Sequence, residues 1–305
     1  MSMKKFVLIF AASIALVVVL AGGLAYYIFL ARASGEFFDS DGVRIFYTDQ
    51  GAGEPVILIH GFAVQGDFNW RRPGVIDRLA RRFRVIVPDL RGHGRSDKPH
   101  DPEQYGREMV EDVVRLMDHL GIEKAHVAGY SLGGFLTLKL AAMHPDRLIT
   151  ASPLGAGWER PEESAFLSRA PDLARMLEEG RGIKPPSGDF GADRERTGLI
   201  HTWTIKLVTR YLNDGKALAA MLRAAQDLVV SADEIRGIVL PMLSIVGSRD
   251  PLKVGVDNLR EHIRGIEVVV IDGATHMNAM MRDQFIEALE GFLARGGTAP
   301  IDVDT

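Results

Sequence analysis

Short apolar runs alternate with amphipathic segments along most of this 305-residue chain. The runs "PVILIHGF" at 55–62 and "KAHVAGYS" at 124–131 have the length of strands, and their apolar character is typical of strands buried on both faces. The segment "EMVEDVVRLMDHL" at 108–120 instead repeats apolar residues at helical spacing. This alternation predicts an α/β fold with a mostly parallel central sheet and helices on both faces.

The same alternation predicts further elements on either side of these segments. The other predicted strands are "VRIFYTDQG" at 43–51, "RVIVPDL" at 84–90, "PMLSIVGSRD" at 241–250 and "IEVVVIDG" at 266–273. The other predicted core helices are "VIDRLARRF" at 75–83, "LGGFLTLKLAAMHP" at 132–145, "VDNLREHI" at 256–263 and "RDQFIEALEGFLAR" at 282–295.

The composition excludes several classes of protein. Hydrophobic residues make up 47% of the chain, which is enough to bury a full-sized core. The formal net charge of −4 leaves no basic surplus of the kind that nucleic-acid binding needs, so we expect no nucleic-acid partner. The absence of cysteine rules out disulfides, a cysteine nucleophile and thiolate metal sites. Oligomeric state is not readable from these numbers.

The N-terminus carries an uncharged, mostly apolar run from Phe6 to Leu30, preceded by two lysines. As a helix this run would reach ~37 Å, enough to cross a bilayer with some tilt. We expect 1–35 to form a single-pass membrane anchor, with the lysines in the cytoplasm and the rest of the chain on the extracytoplasmic side. The alternative is a signal segment cleaved near Ala33, which would export a soluble product.

The sequence "HVAGYSLGG" at 126–134 places Ser131 between a predicted strand and a predicted helix. A Gly-x-Ser-x-Gly pattern on its own can arise by chance, so it does not identify a nucleophile. A strand that runs directly into a helix across such a serine, however, forms a nucleophile elbow that exposes the hydroxyl on a sharp turn. We expect Gly129 and Gly133 to lie close together across this turn, and Gly134 to let the helix approach the sheet. Ser131 is therefore a candidate nucleophile.

A serine hydroxyl becomes a good nucleophile only when a base accepts its proton, so Ser131 needs a histidine and an acid. His276 lies in "DGATHMN", directly after the last predicted strand. Asp250 lies in "GSRDP", after the preceding predicted strand. Glu159 is the alternative acid. His60 lies beside a strand end and precedes Gly61, so we interpret it as organising its loop.

Five other histidines lie on predicted helices, at helix ends, or in linker and insertion segments. They are His100, His119, His144, His201 and His262.

From about residue 36 to residue 295 the chain resembles an α/β-hydrolase of the serine hydrolase branch. The resemblance is carried by five motifs in order: "HGF" at 60–62, "PDLRGHGRSDKP" at 88–99, "GYSLGG" at 129–134, "GSRDP" at 247–251 and "GATH" at 273–276. The chain order Ser, Asp, His also agrees with this family. A serine at the elbow separates the chain from the dehalogenase and epoxide-hydrolase branches, which attack with a carboxylate.

The resemblance implies roles for five residues. Ser131 is the nucleophile, His276 is the general base and then the general acid, and Asp250 orients the imidazole. The backbone N–H groups of Phe62 and Leu132 form the oxyanion hole. The "RGHGRS" loop at 91–96 is expected to shape the sheet edge near the site, with its Arg and His structural rather than catalytic. No metal and no organic cofactor is expected.

Residues 157–240 interrupt the alternation with segments of helical pattern, and they resemble the helical cap of many family members. The predicted domains are 1–35 (anchor or signal segment), 36–156 and 241–298 (hydrolase core), 157–240 (cap) and 299–305 (tail). The residues of this insertion that would line an acyl pocket, or else pack within the cap, are Trp158, Phe166, Trp203 and Met221.

The reaction these features predict is two-step acyl transfer to water, acting on a small, hydrophobic acyl substrate such as a carboxylic ester. A lactone, a carbon–carbon bond beside a ketone, perhydrolysis and acyl transfer remain open, because the fold does not fix the substrate. Two other classes also remain: a non-catalytic ligand receptor, and a redox or nucleotide-dependent protein. The missing dinucleotide fingerprint after the first strand disfavours the latter.

Overall fold

Eight strands form the framework of the protein in a computed structural model that describes residues 34–160, 162, 164–181 and 213–297. In chain order they are β1 (Glu36–Ser40), β2 (Val43–Gln50), β3 (Glu54–Ile59), β4 (Phe83–Pro88), β5 (Ala125–Tyr130), β6 (Leu148–Leu154), β7 (Leu243–Gly247) and β8 (Glu267–Ile271). Six of these strands overlap runs whose bounds the sequence predicts. The additional strands are β1 and β6.

The first six strands pair in the order β1-β2-β4-β3-β5-β6. The β1–β2 and β2–β4 pairs are antiparallel, whereas β4, β3, β5 and β6 run parallel to one another. β7 and β8 form a second parallel pair. A parallel bridge between Ala151 and Met242, together with the hydrogen bond from the Gly155 N–H to the Ile245 carbonyl (2.8 Å), lays β7 beside β6. The predicted mostly parallel sheet is therefore confirmed.

Within the described residues, eight α-helices connect or cover these strands. They are α1 (Val75–Leu79), α2 (Arg107–His119), α3 (Leu132–Met143), α4 (Ala165–Glu178), α5 (Gly215–Arg223), α6 (Ala232–Gly237), α7 (Lys253–His262) and α8 (Asp283–Ala294). Short single turns include a π-turn at Asp67–Arg71 and 3₁₀ turns at Ala225–Leu228 and Ala279–Met281.

Two hydrophobic cores lie on opposite faces of the sheet. Side chains that alternate along β3 divide between them: Ile57 and Ile59 pack with α2, α3 and α7, whereas Val56 and Leu58 pack with α1 and α8. Because successive strand residues point to opposite faces, a strand covered on both sides must be apolar throughout. This is why β3 reads as a continuous apolar run, and it confirms the prediction of helices on both faces.

Where the structure describes it, the segment predicted to form the cap consists of helices and turns joined by short irregular connections. Its elements are α4, α5, α6 and the turn at Ala225–Leu228. Asp214 caps the N-terminus of α5 by accepting hydrogen bonds from the N–H groups of Lys216 (2.9 Å) and Ala217 (3.1 Å). Residues 182–212, and with them His201 and Trp203, lie outside the described part of the chain, as does the predicted tail at 299–305.

The predicted membrane topology needs correction. Across the described residues, none of the helices is long and apolar enough to cross a bilayer. The longest, α4, has 14 residues and spans ~21 Å, whereas a bilayer core is about 30 Å thick. The prediction of a single-pass anchor with an extracytoplasmic domain is wrong by this finding. The run from Phe6 to Leu30 and the alternative cleavage site near Ala33 both lie outside the described residues.

Candidate active site

Ser131 occupies a strained turn between β5 and α3. Its φ of 57° and ψ of −114° lie outside the regions that L-residues ordinarily adopt. The turn is held on both sides, because the Ser131 N–H donates to the Leu154 carbonyl (2.9 Å) and the Ser131 carbonyl accepts from the Gly134 N–H (2.8 Å). The geometry is that of the predicted elbow, with the serine at the carboxyl end of a central parallel strand.

The glycines of the elbow are required by close backbone approach. A Cβ added at Gly129 would lie 2.0 Å from the Gly133 carbonyl oxygen, and one at Gly133 would lie 2.2 Å from the Ile59 carbonyl oxygen. A Cβ at Gly134 would lie 2.5 Å from the Cβ of Ala156. These distances confirm the contacts expected across the turn. They also bring the first turn of α3 against the end of β3.

A chain of two hydrogen bonds runs from Ser131 through His276 to Asp250. The His276 Nε2 lies 3.0 Å from the Ser131 Oγ, and the His276 Nδ1 lies 2.8 Å from the Asp250 Oδ2. Since a carboxylate only accepts, its contact assigns the imidazole proton to Nδ1 and leaves the Nε2 lone pair facing the serine hydroxyl. Asp250 and His276 are both buried, while Ser131 is partly exposed.

Loop geometry fixes the acid at the far end of this chain. The Asp250 Oδ1 accepts a hydrogen bond from the Leu252 N–H (2.9 Å), which leaves Oδ2 for the imidazole. Of the two predicted candidates for the acid, it is Asp250 that hydrogen-bonds His276, whereas Glu159 lies beyond β6 beside the buried Trp158.

Tyr130 contacts His276 through a hydrogen bond and through its ring. It was not among the predicted site residues. Its hydroxyl donates to the His276 carbonyl, and the two rings lie 5.3 Å apart between centroids. Complete burial, with a smaller effect from the nearby Asp250 charge, raises the pKa of Tyr130, so the phenol stays a donor. The tyrosine stands inside the "GYSLGG" motif, but nothing in the motif points to a partner 146 residues away.

The loop after β3 lies directly against Ser131, the candidate nucleophile. A Cβ added at Gly61 would meet the Cβ of Ser131 at 3.4 Å. The Gly61 N–H donates to the side-chain oxygen of Asn69 (2.9 Å), a residue that sequence reasoning missed. Phe62 follows Gly61 and packs, partly exposed, against the core. The structure thus brings this loop, which carries the predicted Phe62 donor, to the N-terminus of α3, which carries Leu132. The N–H groups of Leu132 and Gly133 come before the first N–H group of α3 that bonds within its first turn, that of Gly134.

The sequence comparisons agree with this arrangement. Residues 54–179, which hold the elbow and the loop after β3, match the sequence profile of the family described as alpha/beta hydrolase fold. Solved structures match most of the chain with TM-scores of 0.64–0.69.

The chain belongs to the α/β-hydrolase fold family.

Three relatives of this α/β-hydrolase illustrate the similarity. A 2-hydroxymuconate semialdehyde hydrolase of Pseudomonas sp. is 43% identical over 110 residues, which is 35% of this chain and 38% of the relative. A pimeloyl-[acyl-carrier protein] methyl ester esterase of Aeromonas hydrophila is 28% identical and covers 80% of this chain and 96% of the relative. The structure of a thermophilic esterase from Thermogutta terrifontis matches with a TM-score of 0.69 and 25% identity, covering 87% of this chain and all of the other.

The matches at higher identity are partial. Two relatives that are 40% and 43% identical are matched over only 34% and 38% of their own lengths. Such matches report on the core shared by hydrolases of this fold. The relatives support hydrolase activity for the α/β-hydrolase described here, and its substrate is a separate question.

His60 of this α/β-hydrolase is a neutral connector between two loops. Its Nε2 accepts from the Leu90 N–H (2.9 Å), and its Nδ1 donates to the Gly61 carbonyl (2.8 Å). Burial lowers the pKa of His60 to about 4, which keeps the imidazole neutral near pH 7. These bonds agree with the loop-organising role predicted for it.

The "RGHGRS" loop is held by buried polar contacts. Arg91 pairs with Asp112 through two hydrogen bonds (2.7 and 2.6 Å), both side chains being almost fully buried. Asp89 accepts from the N–H groups of Gly66 and Arg95 (2.9 Å each), and burial raises its pKa. The His93 Nδ1 donates to the Arg91 carbonyl (3.0 Å), and its Nε2 is buried with no hydrogen-bond partner among the described residues. None of these contacts reaches the Ser131 hydroxyl, in keeping with the structural role expected.

The residues predicted to line an acyl pocket fall into two groups. Trp158 and Met221 are buried in the core, and the Trp158 Nε1 donates to the Val230 carbonyl (2.8 Å). Phe166 is partly exposed, and its ring stacks on Phe135 of α3 with a centroid distance of 6.1 Å. Phe135 stands one helical turn after Ser131, so this aromatic pair lies on the Ser131 side of α3.

The part of the chain open to description holds no group of three or more His, Asp or Glu side chains arranged to bind a metal ion. The chemistry available at the site is that of a hydroxyl, an imidazole, a carboxylate and backbone N–H groups.

Proposed function

We propose that the protein is a serine hydrolase that cleaves a carboxylic ester or a related acyl substrate through an acyl-enzyme intermediate. The observation that carries the proposal is the hydrogen-bonded series Ser131 Oγ, His276 Nε2, His276 Nδ1 and Asp250 Oδ2, with separations of 3.0 and 2.8 Å. A nucleophile, a base within hydrogen-bond reach and a group that orients the base are the parts that nucleophilic catalysis requires.

Acylation begins when the Ser131 Oγ attacks the substrate carbonyl carbon. His276 Nε2 accepts the hydroxyl proton, and Asp250 stabilises the imidazolium that results. The carbon–oxygen bond to the leaving alcohol then breaks, and Nε2 gives its proton to the departing oxygen. The acyl group remains on Ser131 as an ester.

The negative charge that develops on the carbonyl oxygen is stabilised by the backbone N–H groups of Phe62 and Leu132. The approach of Gly61 to Ser131, and of Gly133 to the end of β3, supports this assignment, because both N–H groups then belong to segments packed beside the nucleophile. Donors fixed in place before the reaction need no reorganisation as charge develops, and they are a large source of catalysis in acyl transfer.

Deacylation repeats these steps with water. His276 Nε2 takes a proton from water as the water oxygen attacks the acyl carbon, the bond to Ser131 Oγ breaks, and the proton returns to the serine. The carboxylic acid leaves and the hydroxyl is restored. The side chains and N–H groups named here, with the substrate and water, account for every proton and bond in these steps.

We further propose that 157–240 is a cap over this site, inserted between core segments 36–156 and 241–298. The stacked pair Phe135–Phe166 supports the proposal, because it joins the helix of the nucleophile to the first cap helix through partly exposed rings. An aromatic wall beside Ser131 suits a hydrophobic acyl substrate. Lactones are open to the same chemistry, since a lactone is a cyclic ester.

The assignment of the acid is tested by two matched carboxylate-to-amide variants. Asp250→Asn is expected to lower kcat for a short-chain aryl ester by about 10³- to 10⁴-fold, because the amide no longer holds the required imidazole tautomer. Glu159→Gln is expected to stay within about twofold of wild type, since its side chain is not hydrogen-bonded to the imidazole. Steady-state kinetics on folded variants is the measurement. Turnover that survives in Asp250→Asn and disappears in Glu159→Gln contradicts the assignment.

A further inference from the structure

We propose that Asn213, at the start of the described part of the cap after α4, is a positioning residue for the oxyanion hole. It would hold the loop that carries Phe62 in the geometry that the transition state requires. The inference rests on the proposed function, because it assigns a purpose to a contact beside the proposed Phe62 donor.

The contact is a hydrogen bond from the Asn213 Nδ2 to the Ala63 carbonyl (3.1 Å). Ala63 follows Phe62 directly and has a φ of 57°, in the left-handed region that a residue with a Cβ seldom adopts. Such a conformation persists where its surroundings hold it. The Asn213 amide is one of the groups that do so.

The other side of the same loop is held by residues of the core. The Gly61 N–H is bound by Asn69 (2.9 Å) and the Gly61 carbonyl by His60 (2.8 Å). Phe62 therefore lies between one anchor that belongs to the core and one that belongs to the cap. Through the hydrogen bond from Asn213, the cap acts on the backbone next to the Phe62 N–H.

The cap residues that follow Asn213 are themselves held in place by contacts with the core. Asp214, the next residue, caps α5 with its Oδ1 and lies 2.9 Å from the His100 Nε2 through its Oδ2. His100 belongs to the core segment after β4, and buried side chains of α5 such as Leu218 and Met221 pack in the core cluster. Asn213 thus reaches Ala63 from a position set by its neighbour Asp214.

Loss of the Asn213 hydrogen bond should affect the transition state more than the bound substrate. Oxyanion donors act at 2.7–3.1 Å from the developing charge, so a small displacement of the Phe62 N–H weakens the interaction steeply. The ground-state carbonyl depends less on this donor. Loss of the Asn213 bond should therefore lower kcat and leave KM nearly unchanged.

The experiment compares three variants of the full-length protein. Asn213→Ala removes the amide, and Asn213→Asp keeps its size but replaces the N–H donor with a carboxylate oxygen. Asn258→Ala is the matched control, because the Asn258 Nδ2 donates to a backbone carbonyl, that of Trp158, at the same 3.1 Å but away from the Phe62 loop. Each is assayed for kcat and KM on a short-chain aryl ester and for inhibition by an alkylboronic acid, whose tetrahedral adduct on serine resembles the transition state.

Both Asn213 variants are expected to lower kcat about 10-fold with KM within about twofold, and to weaken boronate inhibition to the same degree. Asn258→Ala is expected to match wild type in all three quantities. Wild-type kcat in Asn213→Ala and Asn213→Asp, or an equal loss of kcat in Asn258→Ala, overturns the inference.

Failure of the underlying function has a different signature. If wild-type protein is not acylated or phosphonylated at Ser131 by an active-site probe, the proposed function fails and the inference fails with it. If wild type is modified at Ser131 and the Asn213 variants keep wild-type kcat and boronate affinity, the inference alone fails. Thermal unfolding of each variant, checked by circular dichroism, shows that the comparison is made between folded proteins.

Discussion

At the scale of single residues, the glycines around Ser131 decide whether the site forms. Gly133 shows this most directly, because its missing side chain lets the first turn of α3 lie against the Ile59 carbonyl. The cost of filling that space is steric and cannot be relieved by rotating a flexible side chain, since the obstructing atom belongs to the backbone. The elbow is therefore a packing requirement as well as the turn that positions the proposed nucleophile.

Gly133→Ala is expected to destabilise the protein by about 2–4 kcal/mol, because its Cβ would lie 2.2 Å from the Ile59 oxygen and either α3 or the end of β3 must shift. Turnover should fall as well, since the shift displaces the first N–H groups of α3. Denaturant unfolding followed by circular dichroism measures the stability, and ester turnover measures the site.

Gly237→Ala is the matched control for that prediction. Gly237 ends α6, and an added Cβ there meets no atom within 4 Å. Alanine at this site should be neutral or stabilising by about 0.5–1 kcal/mol. Equal stability of the Gly133 and Gly237 variants would contradict the packing argument.

Ser131, His276 and Asp250 could be proposed from sequence because each belongs to a short motif directly after a predicted strand. The three residues that support them could not. Tyr130, Asn69 and Asn213 act through partners that lie 146, 8 and 150 residues away in the chain. No periodicity or spacing links such pairs, so only the folded structure brings them together.

At the scale of elements, the sequence predicts the buried strands and the amphipathic helices well and the irregular ones poorly. β1 is not predicted from the sequence because it is an edge strand with many exposed residues, among them the half-exposed Phe37. A strand is expected between the elbow and the insertion, but the bounds of β6 are not predicted, because Thr150, Ser152 and Pro153 interrupt its apolar pattern. All three are nevertheless buried in the sheet. Burial of a polar strand depends on its neighbours, which a local pattern does not contain.

The short helix α6 was also missed, although a local signal for it exists. Ser231 and Glu234 form a capping box, in which each side chain binds the backbone N–H of the other residue (3.2 and 2.7 Å). The S-x-x-E spacing is a sequence signature of a helix start. It was hidden because the helix that follows has only six residues and no apolar periodicity.

The ion pair between Arg91 and Asp112 couples the "RGHGRS" loop to α2, and its loss is a test of how elements are joined. Arg91→Met should destabilise the protein by about 3–5 kcal/mol, because it leaves the buried Asp112 carboxylate with only the Ser40 hydroxyl and the more distant Arg115, at 4.0 Å. The stability is read from denaturant unfolding at pH 7.5.

Arg44→Met provides the comparison for this pair. Arg44 contacts Asp97 at 3.2 Å, but the Arg44 side chain is 65% exposed. Solvent screens such a pair, so the substitution should cost less than about 1 kcal/mol. Similar losses in the two variants would show that burial does not set the strength of these contacts.

At the scale of the whole molecule, the sheet brings together residues that are distant in the chain. Ser131 follows β5, Asp250 follows β7 and His276 follows β8, so all three lie at the carboxyl ends of parallel strands. This edge of an open α/β sheet is where ligands bind. The fold class and the edge were predictable from sequence. The register of the strands, and hence the 3.0 and 2.8 Å separations, required the structure.

The buried histidines predict how stability depends on pH. Burial lowers the pKa of His60 to about 4 and, together with the neighbouring His60, lowers that of His93 to about 3. In the unfolded chain these imidazoles titrate near 6.5. Between about pH 6.5 and pH 4 the unfolded state therefore binds protons that the folded state does not, and the free energy of unfolding falls as the pH falls, by up to ~3 kcal/mol per histidine.

Denaturant unfolding at pH 7.5, 6.0 and 5.0 measures this loss. His93→Asn removes one titrating group while keeping an N–H donor near the Arg91 carbonyl, so its stability should change less steeply over the same range. If the variant and the wild type lose stability in parallel, the neutral state assigned to the buried His93 is contradicted.

The central claim is that Ser131 is a nucleophile activated by His276 and Asp250, and covalent labelling by a fluorophosphonate tests it most directly. Intact-protein mass spectrometry should show one added phosphonyl group on wild type, peptide mapping should place it on Ser131, and Ser131→Ala should remain unlabelled with its fold intact. Labelling of Ser131→Ala to the wild-type extent, or wild-type protein that does not react, would contradict the account.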